Sequence, residues 1–78
     1  MFDRQVVTAR VPDAVAFEER FEVLPCTMAP DCDAYDATGQ DTIELVWITP
    51  RPESALAQFG DVCHELGVDA HDVEVHSG

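Results

Sequence analysis

Residues 42–76 read TIELVWITPRPESALAQFGDVCHELGVDAHDVEVH, and the reading of this stretch decides the fold class. Ile43, Leu45 and Trp47 alternate onto one side of an extended segment, Thr42 to Thr49, while Val46 and Ile48 make the other side apolar toward its end. A strand apolar on both faces belongs at the centre of a sheet. Pro50-Arg51-Pro52 stops it. Pro52-Glu53 then opens a helix, with φ fixed at the first position and an acid beside the positive end of the helix dipole. Leu56, Phe59, Val62, Cys63 and Leu66 make one apolar stripe along that helix. Gly67 supplies the left-handed stop, and Val68 the apolar residue that packs back beyond it. Asp72 to His76 gives a last strand, with Val73 and Val75 on one face.

Working toward the N-terminus, the pattern is less sharp. Gln5 to Val11 predicts a strand, with Val7, Ala9 and Val11 on one face and Val6, Thr8 and Arg10 on the other. Pro12-Asp13 breaks it. Ala14, Phe17, Phe21 and Leu24 follow at spacings of three and four, which predicts a helix over Asp13 to Leu24 with Pro12 near its N1 position. A β-hairpin turning at Pro12-Asp13 competes, because Val15, Phe17, Phe21 and Val23 also alternate. Pro25 to Asp41 has neither period, and a connection that long in a compact domain hides structure. A short strand is expected at Asp33 to Ala37, followed by a turn at Thr38-Gly39-Gln40-Asp41. The order strand, helix, weak strand, strong strand, helix, strand predicts one α+β domain over residues 1–78. Its plan is the ferredoxin-like split βαβ (βαββαβ), an antiparallel sheet with two helices on one face.

The chain has nine Asp and seven Glu against four Arg and no Lys, for a net charge of −12. These carboxylates run from Asp3 to Glu74 rather than forming an acidic tail. So negative a chain lacks the cationic side chains that bind phosphates, which argues against nucleic acid as a partner. No run approaches 18 apolar residues and none follows Met1-Phe2-Asp3-Arg4, so neither a membrane span nor a signal peptide is expected. Asn is absent, and Leu and Ile are few beside ten Val and nine Ala. This composition resembles that of cytoplasmic proteins of salt-in halophilic archaea. Carboxylate surfaces stay hydrated in brine, where repulsion is screened beyond about 3 Å. An acidic DNA mimic is the alternative, but it needs its charge gathered on one face. Thr42 to His76 also resembles, in length and element order, the closing half of an ACT-type domain. That resemblance implies a small-ligand sensor with backbone N–H donors in the loop after the first strand. Here that loop is Pro12-Asp13, which has no Gly and one donor fewer.

Several constellations have residue types that can carry chemistry. Cys26, Cys32, Cys63 and His64 have ligand types suited to zinc, but five residues separate the first two, and Cys63 and His64 point about 100° apart on a helix. A Cys26–Cys32 disulfide needs an oxidising site such as a virion or cell surface. Asp31 to Asp36 begins like a calcium loop, then places Tyr35, Asp36 and Thr42 where an oxygen ligand, Gly and Glu are required. His64, His71 and His76 lack a nucleophile setting, and no Gly-rich phosphate loop exists. The expectation is therefore a non-enzymatic protein with no cofactor and no metal. It associates with itself or another protein, as a homo-oligomer or as a small subunit of a larger assembly, in a halophile's cytoplasm or a virus particle. The expected interface is the final strand, Asp72, Val73, Glu74, Val75 and His76, with Tyr35 as an exposed loop aromatic. Trp47 is expected under a helix.

Overall fold

A computed structural model describes residues 3–25, 27 and 29–77. Six elements follow one another: β1 (Arg4–Arg10), α1 (Ala14–Glu22), β2 (Cys32–Ala37), β3 (Thr42–Ile48), α2 (Pro52–Leu66) and β4 (His71–Ser77). The four strands form one sheet in the order β2-β3-β1-β4, and every neighbouring pair is antiparallel. β1 and β3 are therefore central, as the two-sided apolar pattern of β3 required. β2 and β4 are the edges.

Alternation sorts the sheet residues. Val7, Ala9, Ile43, Leu45 and Trp47 join Phe17 and Phe21 of α1 and Phe59, Val62 and Leu66 of α2 in one buried cluster. Both helices thus cover the same face. Trp47 is fully buried, its ring meeting Phe59 edge-on at 6.4 Å, and Phe59 in turn lies 6.3 Å from Phe17. The indole N–H donates to Gln58 Oε1 at 2.7 Å, and Gln58 Nε2 donates to Asp31 Oδ2 at 3.1 Å. A buried Trp needs such an acceptor.

The 13–24 segment is a helix, not the competing hairpin. Its start differs from expectation: Asp13 is the N-cap, accepting Ala16 N–H at 3.0 Å, so Pro12 lies before the cap rather than at N1. A carboxylate that satisfies an orphan N–H explains why the helix begins there. α2 starts with Pro52 at N1 and ends at Gly67, φ 67°, where Val68 N–H reaches Cys63 O at 2.9 Å. The Arg20 guanidinium donates to Leu66 O, so a charge from α1 caps the negative end of α2.

The stripe expected on α2 needs one correction. Ala55, not Leu56, belongs to the buried set, and Leu56 is 37% exposed. The reason is position: α2 lies over β1 and β4, while α1 lies over β2 and β3. Gln58 marks the flank of α2 that faces β3, and Leu56 stands about 160° round the helix from it. Leu56 therefore overhangs the outer side, toward β4.

Candidate functional site

The two sheet edges differ in how their outward backbone groups are used, and hydrogen-bond parity shows which groups those are. Val11 N–H donates to Asp41 O at 2.9 Å, one step beyond the Arg10↔Thr42 pair. In an antiparallel ladder, pairs that exchange bonds alternate with pairs that do not. The odd residues of β1 therefore bond β3, and its even residues, Val6 and Thr8, bond their β4 partners His76 and Glu74. Val75, opposite Val7, turns its N–H and C=O away from the sheet, as does Ser77 opposite Gln5. Among the described residues nothing pairs with those outward groups.

The same parity holds at the other edge. Thr38 N–H donates to Thr42 O at 3.0 Å, so Asp36 bonds Glu44 and the groups of Ala37 point outward. There, however, Glu18 Oε2 of α1 accepts the Ala37 N–H at 2.8 Å. β2 also carries a register shift between Cys32 and Ala34. A bulge and a carboxylate clasp both discourage pairing at an edge. A strand arriving at β2 must displace Glu18 from the Ala37 N–H, whereas among the described residues no group bonds the outward N–H and C=O of Val75 on β4.

The five residues expected as the interface lie together on β4. Asp72, Glu74 and His76 are exposed, Val73 is 40% exposed and Val75 is half-buried. β4 has its own irregularity, between the Thr8 and Arg10 pairings, where Asp72 adopts φ 51°. The Asp72 carboxylate lies 3.7 Å from Arg10, which also faces Asp41 at 3.8 Å. Both ion pairs are exposed and add little to stability. Tyr35 needs correction. It is not a free loop aromatic but a β2 residue, half-buried, with its ring 4.7 Å from Phe21. Partial burial, then the Glu22 and Glu18 carboxylates, push its phenol pKa up.

On the face away from the helices, β-pairing aligns Ala34, Val46, Val6 and His76 in a row, and Val46 is 4% exposed. The neighbouring row is Asp36, Glu44, Thr8 and Glu74. An apolar row and an acidic row both end on β4.

The cysteines are dispersed. Cys63 lies on the buried side of α2, Cys32 on β2, and His64 on the exposed side of α2. Burial pushes the Cys63 thiol up to about 11. Burial does the same to Cys32, to about 11, with a backbone contact at Ala34 opposing and the Asp33 charge adding. Neither is a thiolate at neutral pH, the form that attacks or ligates. Cys26 lies outside the described residues, and with it the Cys26–Cys32 disulfide. No group of three His, Cys, Asp or Glu side chains is placed to hold a metal ion among the described residues.

A cleft of about 320 Å³ opens between the end of α1 and β2, lined by Phe21, Leu24, Pro30, Cys32 and Tyr35. Its polar rim, Glu22 and Asp33, offers no convergent donor. In the loop after β1, Ala14 N–H goes to Gln40 O and Ala16 N–H to the Asp13 side chain. Among the described residues no helix is long and apolar enough to cross a membrane. No family model, no curated protein and no solved structure matches this chain.

Proposed function

We propose that this chain is a non-enzymatic association module that works by adding a partner strand to β4. The observation that carries the reading is the asymmetry of the edges, with Ala37 N–H held by Glu18 on one side and Val75 turned outward on the other. Exposed main-chain groups give strand addition its affinity, and neighbouring side chains give it selectivity. The strand order, read from the other edge as 4-1-3-2, supports a ferredoxin-like split βαβ plan. That plan leaves one face uncovered and two edges to manage.

The charge supports a saline setting, the cytoplasm of a salt-in archaeon or a virus particle. Carboxylates occupy both helices, the open face and the loops, which suits diffuse solvation better than mimicry of DNA on one face. Joined edge to edge, two four-stranded sheets have their centres about 20 Å apart. Charges of −12 at that separation repel by roughly 15 kcal/mol at 10 mM salt, where the Debye length is about 30 Å. At 1 M the Debye length is about 3 Å and the repulsion vanishes. Association is therefore promoted by salt.

Val75→Pro tests the reading. It removes an N–H that points away from β1, at an edge position where proline is tolerated. In 2 M KCl the parent sediments as an assembly, and the variant as a monomer with an unchanged circular dichroism spectrum. An equal assembly state in parent and variant, or a parent monomeric throughout, overturns the proposal.

A further inference from the structure

The geometry points to a second copy of this chain as the occupant of the β4 edge, docked antiparallel about a two-fold axis with Val75 opposite Val75 of its twin. This rests on the strand-addition reading above and specifies its partner and register. Adding β4 of one copy to β2 of the next, which would run on as an open sheet, requires breaking the Glu18 bond to Ala37 N–H at every joint. Joining β4 to β4 breaks no such bond and closes on itself.

Only outward-facing residues can exchange ladder bonds, so the register moves in steps of two. Centring the axis on Glu74 sets two carboxylates against each other across a non-bonded pair, where side chains are closest. Centring it on His76 pairs two imidazoles. Centring it on Val75 places Val73 opposite Ser77 of the other copy and, on the open face, Glu74 opposite His76, twice. In that register alone each carboxylate meets a ring N–H donor, and two valines meet on the helix side.

The helices fit the same axis. α2 lies over β1 and β4, about half a strand spacing inside β4, so its twin would run about 10 Å away across the seam. That is the distance at which helices pack. Gln5 links Thr49, just before α2, to Ser77 at the end of β4, its Nε2 donating to Thr49 O and its Oε1 accepting from Ser77 Oγ. α2 and β4 therefore share one end. Leu56 stands about 6 Å from it along the helix and Val75 about 7 Å from it along the strand. The exposed Leu56 thus overhangs the axis and meets its counterpart above the valine pair. Gly60, one turn further on, has open space where a side chain would project, and it leaves room for that contact.

Sedimentation in 2 M KCl at graded protein concentrations tests this, with circular dichroism confirming the fold of each variant. The parent should be a dimer. His76→Glu should raise the dissociation constant at least tenfold, and adding Glu74→Lys to it should restore most of the loss, since opposite charges then face each other. Leu56→Glu, at an exposed position, should also dissociate the dimer. If Val75→Pro dissociates the assembly but the charge exchange restores nothing, the register falls while the edge reading stands. A parent that forms trimers or filaments also overturns the two-fold. An assembly indifferent to Val75→Pro overturns both.

Discussion

Glu18 Oε2 accepts the backbone N–H of Ala37 at 2.8 Å, so a helix side chain finishes the ladder at the far edge of the sheet. This is a charge-assisted bond to a part-buried donor, of a kind that contributes about 1.5–3 kcal/mol before screening. Glu18→Ala should lose roughly 1–2 kcal/mol, measured by guanidinium unfolding in 2 M KCl. Hydrogen exchange gives the local check: protection of the Ala37 amide should fall well below that of its neighbours. Unchanged protection at Ala37 would show the clasp to be incidental.

The central strand and the second helix were legible because several signals agreed there. Alternation over Ile43 to Trp47, two prolines and Gly67 all act within a few residues, so tertiary structure had nothing to override. The edge clasp was not legible. It joins residues 19 apart through a side chain that sequence alone marks only as a good helix former. Leu56 misled for a related reason. Period places it in the apolar stripe, but which flank of a stripe is buried depends on how far toward the sheet edge the helix lies. The strand at Asp33 to Ala37 is legible, but the burial of Tyr35 is not, because its acidic neighbours carry no sign that its ring lies on Phe21. Parity at Val75 needed the register and one hydrogen bond, neither of which a sequence carries.

Phe59 connects the layers, touching Trp47 from the sheet and Phe17 from the other helix. It is 3% exposed. Phe59→Ala removes a ring from between two others and leaves a cavity, at a cost of about 3–5 kcal/mol. In a domain of this size that rivals the whole stability. The variant should lack a cooperative thermal transition in 0.5 M KCl and recover one only partly at 3 M. A loss under about 1 kcal/mol would place the weight of the core elsewhere.

Folding itself should depend on salt. Sixteen carboxylates have four Arg partners, and Arg10 spends its charge on two exposed ones, Asp41 and Asp72. At 10 mM salt the remaining repulsion reaches across the molecule, whose radius of gyration is 11.3 Å, whereas at 2 M it dies within a few ångströms. Circular dichroism across a KCl series should show the melting temperature rising steeply up to about 1 M. Equal, cooperative transitions at 10 mM and 2 M would remove the case for a saline habitat.

The buried thiol sets an alkaline limit. Cys63 is 8% exposed, and burial raises its pKa from 9.0 to about 11 in the folded state. A group held neutral by folding contributes fully below its unfolded value. Above pH 9 the unfolded chain loses its proton first, so stability falls until the folded thiol also ionises near 11. The slope approaches about 1.4 kcal/mol per pH unit for each such thiol, and Cys32 adds a second with the same direction. Tyr35, raised from 10.0, adds its share mainly above that value, so the thiols dominate the window from pH 9 to 10. Cys63→Ala lowers stability at every pH through the lost sulfur but should halve the slope in that window. Guanidinium midpoints at pH 8, 9 and 10 in 2 M KCl give the comparison. Parallel curves for parent and variant would mean that Cys63 ionises as freely in the folded chain as in the unfolded one.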